Sequence, residues 1–186
     1  IMVNKLFVDN TGNSYVTGMI SGTAHFGNDS LVCGPSCFQD GFVAKFNSNG
    51  NYLWSARSSQ NQMQSLMYDV AVSKSGVVFV VGNFNTDSLY FNNTFILNGG
   101  SSLTSAFIAS YDTAGSFLWV KAVTTTFGSA GLAGVTADDN GNAYATGSFY
   151  GDIVIGGNNY FENGNGDFIL AKIDNAGTLQ WYRQST

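Results

Sequence analysis

One stretch recurs three times in this chain and limits what it can fold into. DGFVAKFNSNGNYLW (Asp40 to Trp54) returns as SAFIASYDTAGSFLW (Ser105 to Trp119) and as DFILAKIDNAGTLQW (Asp167 to Trp181). Trp54, Trp119 and Trp181 are 65 and 62 residues apart, and Gly50, Gly115 and Gly177 keep the same spacing. Gly12, Gly76 and Gly141 are 64 and 65 apart, as are Gly18, Gly82 and Gly147. Four landmark sets in step over three copies mark a repeat architecture.

Each unit reads as four strands. The first has Lys5 to Val8, Tyr15 to Ile20, Phe42 to Phe46 and Tyr52 to Ala56, with a variable loop between its second and third strands. The second repeats this at Tyr68 to Val72, Val77 to Phe84, Phe107 to Tyr111 and Phe117 to Val123. The third does so at Gly134 to Ala137, Ala143 to Phe149, Phe168 to Ile173 and Leu179 to Arg183. β-Branched and aromatic residues fill these runs. Asn, Asp and Gly fill the turns, where a tight loop needs positive φ. No sustained 3.6-residue period supports a helix. Gly18, Gly82 and Gly147 fall inside strands, which predicts a close backbone approach or a bulge there.

A four-stranded sheet of about 60 residues cannot bury two apolar faces alone and must stack on its copies. Four antiparallel strands per repeat are the pattern of a β-propeller blade. The expected fold is all-β: a propeller segment of three four-stranded antiparallel blades, at residues 1–59, 60–125 and 126–186. Closed propellers use about four to eight blades, so the partners expected are other blades, from the rest of a parent chain or from a second copy. The two end faces are expected to be bare and apolar. Leaving roughly 400–500 Å² in water costs on the order of 10 kcal/mol per face. The chain opens at Ile1 with no charged and apolar leader pattern, as expected of a processed chain or an excerpt of a longer one.

The pattern D-x-F-V-A-K-F-N-x-x-G-x-x-x-W, preceded by D-x-x-G-N-x-Y-V-T-G, resembles the bacterial β-propeller repeat known as SBBP. The first unit carries it at Asp9, Gly12, Asn13, Tyr15, Val16, Thr17 and Gly18, then at Asp40, Phe42, Val43, Ala44, Lys45, Phe46, Gly50 and Trp54. The third carries it at Gly141, Asn142, Tyr144, Thr146, Gly147, Asp167, Ala171, Lys172, Asp174, Gly177 and Trp181. The second departs from it, with Ser105 for Asp and Ser110 for Lys. The segment Ser21 to Gly27 is similar to versions in Bacteroidetes surface proteins. The resemblance implies a secreted or surface-attached protein without enzymatic activity.

Charge narrows the partners. Seven basic residues against twelve acidic ones give a net charge of −5, and the cations are scattered. Nucleic-acid binding needs clustered Lys and Arg, so nucleic acid is not an expected partner. No apolar run is long enough for a membrane-spanning helix, so membrane insertion is not expected either.

Candidate chemistry is sparse. Cys33 and Cys37, in C-G-P-S-C, are the two cysteines. Zinc wants about four ligands and a thioredoxin-like dithiol has two intervening residues, so a loop-pinning disulfide in an oxidising compartment is expected. His25 is the single histidine and reads as a loop or solvent-facing residue. Asp9, Asp138 and Asp139 superficially resemble calcium loops but lack the closing Glu, and read as turn formers. Glu162 is the one glutamate, so no glycosidase carboxylate pair stands out. No catalytic, cofactor or metal residue is assigned. Lys45, Lys172 and the tryptophans read as packing. Tyr90, Phe91, Tyr150, Tyr160 and Phe161 form the candidate ligand loops, because variable loops carry function; Phe91 also sits beside the periodic landmark Gly27, Asn92 and Gly156. Asp-Ser/Thr tripeptides at Asp29, Asp87 and Asp112 are similar to an O-glycan acceptor pattern, and Asn28 and Asn92 fit the N-glycan one. The expected function is a non-catalytic extracellular or cell-surface scaffold for protein interaction, display or adhesion. The alternatives are a carbohydrate-binding propeller, or an accessory segment of a larger secreted enzyme.

Overall fold

A computed structural model describes residues 1–34, 37–58, 64–100 and 103–185. The expected junction of the first two units, at 59/60, and the middle of the C-G-P-S-C segment lie outside the described residues. The first unit runs β1 (Met2–Val8), β2 (Ser14–Ile20), a short hairpin β3 (Thr23–Phe26) and β4 (Asp29–Val32), then β5 (Asp40–Phe46) and β6 (Tyr52–Arg57). The second runs β7 (Ser65–Val72), β8 (Val77–Phe84), the hairpin β9 (Ser88–Phe91) and β10 (Thr94–Leu97), then β11 (Ser105–Asp112) and β12 (Phe117–Thr125). The third runs β13 (Ser129–Ala137), β14 (Ala143–Tyr150), the hairpin β15 (Ile153–Ile155) and β16 (Asn158–Tyr160), then β17 (Asp167–Ile173) and β18 (Leu179–Arg183).

The long strands of each unit pair antiparallel in chain order. Two sheets, β1-β2-β5-β6 and β13-β14-β17-β18, stay four-stranded. The second continues from β12 into β15 and β16 of the third unit, through Val123↔Ile155 and Thr125↔Ile153. Among the described residues there is no barrel closure, and no helix is long and apolar enough to cross a membrane.

Where sequence reading expected a variable loop, every unit has a β-hairpin. Its turn opens on Gly27, Asn92 or Gly156, with φ of 61°, 52° and 59°. These are the three residues of the periodic landmark, so the signal for the hairpins was present. The strands were missed because each is only three or four residues long.

The strand glycines stand where backbone crowds backbone. A Cβ on Gly18, Gly82 or Gly147 would lie 2.0, 1.8 or 1.8 Å from the carbonyl oxygen of Met2, Leu66 or Gly131. In each case the register slips beside that contact, between Val3 and Lys5, Met67 and Asp69, and Leu132 and Gly134. The bulge and the close approach are one device, used three times.

The sheets stack face to face in chain order. Tyr15 and Val43 of the first share a buried cluster with Val80, Phe107 and Tyr111 of the second. Phe79, Val81 and Ile108, from the second sheet's other face, pack with Leu132, Ala145 and Ile169 of the third. Parallel bridges join Gln39 to Gln64 and Thr104 to Ser129, equivalent positions one unit apart. The first strands are stitched together as well. Asn4 Nδ2 donates to the Met67 carbonyl at 2.9 Å, and Asp69 accepts from the Val135 N–H at 2.9 Å while facing Lys5 at 3.4 Å.

The end faces depart from expectation. Hairpin β3–β4 covers the first sheet's outward face, closing Phe26, Ile20, Phe42 and Ala44 into a separate cluster. That face is therefore covered in part: β3–β4 lies over its own sheet, while Val3 and Leu6 of β1, counterparts of buried Met67 and Val70, stay 58% and 57% exposed. The third sheet does expose Phe168 and Leu170, but beside exposed Thr146 and Ser148.

Candidate functional site

The most repeated constellation is a tryptophan set on a neighbouring hairpin turn. It begins with the turn. In the six turns that join long strands within a sheet, the first residue is Asp9, Asn47, Ser73, Asp112, Asp138 or Asp174. The fourth is a glycine with φ between 80° and 90°, from Gly50 at 80° to Gly115 at 90°. The first residue's backbone N–H donates to the fifth residue's carbonyl, and its side-chain oxygen accepts backbone N–H bonds from within the turn. Such an Asx-type turn ties its polar groups to itself. The glycine leaves one side of the loop flat.

Aromatic rings use that flat side. Trp54 Nε1 donates to the Thr113 carbonyl at 3.0 Å, and Lys45 Nζ donates to the same oxygen at 2.8 Å. Trp119 Nε1 donates to the Asn175 carbonyl at 2.8 Å. Thr113 and Asn175 are equivalent turn positions. A Cβ on Gly115 would meet the Trp54 ring at 2.7 Å, and one on Gly177 the Trp119 ring at 2.9 Å. The joint thus needs Trp on one sheet and Gly on the next. Tyr15 backs Trp54 edge-on at 6.3 Å, and Lys45 lies 5.1 Å from the Tyr15 ring centre.

At Asp9, Asp112 and Asp138 the turn holds the carboxyl below the ordinary carboxylate range. Burial acts to raise Asp9, but hydrogen bonds from Asn13 and Thr11 outweigh it and bring the group to about 2. Asn142 is the main cause at Asp138, also lowered to about 2. Sequence reading took these residues for turn formers, and their oxygens are occupied in that role. Asp40 is the opposite case. Enclosure pushes it up to about 6 against the pull of Arg57, which donates to one of its oxygens. The other oxygen is buried with no partner among the described residues.

The remaining candidates separate. Cys33 and Cys37 form a disulfide. Their sulfurs and Asp40 lie within 4.8 Å of one another, but both sulfurs are committed to that bond. His25 is exposed on β3, a strand rather than a loop. Phe91 is core, stacked at 6.0 Å on Phe117. Tyr160 packs 4.1 Å from Tyr182. Tyr90 is exposed against Phe95 on the second unit's hairpin. Tyr150, 52% exposed, ends β14, and Phe161, 64% exposed, follows β16 in the third unit. Glu162, next to Phe161, accepts from the N–H of Gly151, next to Tyr150, at 2.7 Å. A polar cleft of about 290 Å³ opens between the first two sheets, beside Asp9, Lys45, Lys74 and Thr113. A more apolar cavity of about 330 Å³ lies between the second and third, beside Ile108, Leu132, Ile155 and Ile169.

Over 154 residues the chain is 31% identical to an uncharacterized WD repeat-containing protein of Acanthamoeba polyphaga mimivirus. The match takes in 74% of this chain and 10% of that protein, so the chain spans about a tenth of the relative's length. No family model matches the chain. Together with the stacked antiparallel sheets, the likeness points to a repeat protein of propeller type.

Proposed function

We propose that the three sheets are blades of a β-propeller of the SBBP kind, working outside the cell as a non-catalytic scaffold for protein interaction, display or adhesion. The observation that carries this reading is the repeated joint, in which Trp54 and Trp119 each lock onto the next sheet's turn. Such joints hold sheets in fixed succession and present the loops between them. Acidic side chains serve the same structural end. Asp112 and Asp174 accept from turn N–H groups, and Asp167 accepts from Asn163 and Ser185. The Cys33–Cys37 bond favours an oxidising location. Protease shaving of intact cells that make the protein tests the placement. Release of its peptides, with cysteines unreactive to maleimide until reduced, is expected; peptides released only on lysis would overturn it.

A second reading is favoured by one feature. Tyr150 at the end of β14 and Phe161 after β16 are exposed, and Glu162 beside Phe161 accepts from Gly151 beside Tyr150, an arrangement that suits stacking on a sugar ring. A glycan array compares the native chain with Tyr150→Ala and Phe161→Ala. Binding lost in both variants supports a carbohydrate platform, and an empty array removes it.

A further inference from the structure

Two of the three sheets carry the same cluster of aromatic rings on one face, and the third does not. In the first unit Phe26, Phe42, Phe46 and Tyr52 meet, with the Phe26 ring centre 5.4 Å from Phe42 and 6.1 Å from Tyr52. In the second the same positions hold Phe91, Phe107, Tyr111 and Phe117, with Phe91 5.2 Å from Phe107 and Tyr111 5.7 Å from Phe117. The third unit has Ile155, Ile169, Ile173 and Leu179 there. Pairing fixes the equivalence. Phe42, Phe107 and Ile169 lie opposite Gly18, Gly82 and Gly147. Phe46, Tyr111 and Ile173 lie opposite Tyr52, Phe117 and Leu179. Phe26, Phe91 and Ile155 each stand just before the positive-φ residue of their hairpin turn. All four aliphatic residues line the cavity of about 330 Å³ between the second and third sheets. The space is therefore written in the sequence, as four ring positions that have turned aliphatic.

The mouth of this cavity carries a cation. Lys121 pairs with Ile108 across the sheet, where the first unit sets Ala56 against Val43. Its stem runs beside the Gly177 turn, with Cε 2.9 Å from where a Cβ on that glycine would stand. Lys121 is exposed, and among the described residues its ammonium has no ion-pair partner. Asp174, in the same turn, is committed elsewhere: its oxygens accept from Ala176 and Thr178 N–H and from Gln180. Exposed Asn158 and Thr178 complete a polar rim over the buried isoleucines. On the scale by which about 150 Å³ of apolar cavity takes one benzene, there is room for roughly ten carbon atoms.

We infer that this cavity binds a small amphiphile, a medium-chain carboxylate whose hydrocarbon tail fills the space of the absent rings while its carboxylate pairs with Lys121. The aliphatic lining offers nothing to satisfy the hydroxyls of a sugar, and the single charge at the rim selects an anionic head. The site goes beyond the scaffold reading and is independent of where the protein works.

Calorimetric titration of the 186-residue chain with hexanoate, octanoate, decanoate and decanol, each below its micelle-forming concentration, is the test. Affinity is expected to rise about three- to fourfold per added methylene up to decanoate. Lys121→Ala should weaken decanoate about two- to fivefold and leave decanol unchanged. Ile155→Phe combined with Leu179→Phe copies Phe91 and Phe117, which stack at 6.0 Å in the second unit. That pair should cut decanoate affinity about tenfold or more while the melting temperature holds or rises, because it fills a void. Affinity that does not grow with chain length, or decanoate binding untouched in the filled variant, would overturn the site. Decanol losing as much as decanoate in Lys121→Ala would overturn the charge pairing. If the filled variant fails to fold, the chain-length series and Lys121→Ala decide by themselves.

Discussion

Gly82 has no room for a methyl group. An added Cβ would sit 1.8 Å from the Leu66 carbonyl oxygen and 2.8 Å from the Phe107 ring. Gly82→Ala should therefore destabilise by about 3 kcal/mol, read in thermal unfolding as a fall of roughly 6–12 °C. Gly34→Ala, where nothing lies within 4 Å, should be close to neutral. The strand position of these glycines was legible in the sequence, and so was the choice between bulge and close contact as their cause; that both hold together needed coordinates. Asp40 gives a pH signature. Its folded pKa of about 6 lies above the ordinary 3.8, because enclosure disfavours the charged form. The folded state then holds more protons than the unfolded state between those values, so stability falls as pH rises from about 4 to 6. Asp9 and Asp138, lowered to about 2, act in the opposite sense: their contribution is present above pH 4 and is lost as pH falls toward 2. Chemical denaturation from pH 2 to 7 should show greatest stability near pH 4–5. Asp40→Asn should flatten the arm above that, by on the order of 1–3 kcal/mol; an unchanged arm would reject the assignment.

At the scale of the element, the hairpin turn and the tryptophan above it behave as one part. Asp112 accepts two N–H bonds inside its turn, and Thr113 offers the carbonyl that Trp54 and Lys45 use. Asp112→Ala should cost about 1–2 kcal/mol in unfolding free energy. Its cost should shrink in a Trp54→Ala background, since the joint it supports is already gone; strict additivity in that double-mutant cycle would mean turn and ring are independent. Trp119→Ala should cost about 3–5 kcal/mol by emptying space between the second and third sheets. The turns were readable from Asx and Gly spacing because local backbone geometry dictates those residues. The tryptophans' part in packing was readable too, but their targets were not, since the partner lies 59 and 56 residues away. Phe91 shows the converse: a position in a variable segment became core once the segment folded into a hairpin over its own sheet.

Over the whole molecule, three equivalent sheets are joined twice, by Trp54 and by Trp119. The sequence carried the count of units because the landmarks keep step. It did not carry the state of the end faces, because the cover on the first sheet comes from strands too short to read. The central claim is that an indole seated on a turn glycine fastens each sheet to the next, and hydrogen exchange of the three tryptophan indole N–H groups, followed by NMR on a dilute sample, tests it most directly. The account predicts slow exchange at Trp54 and Trp119, whose indoles donate to the next sheet's turn, and faster exchange at Trp181. Fast exchange at Trp54 and Trp119, as fast as at Trp181, would contradict it.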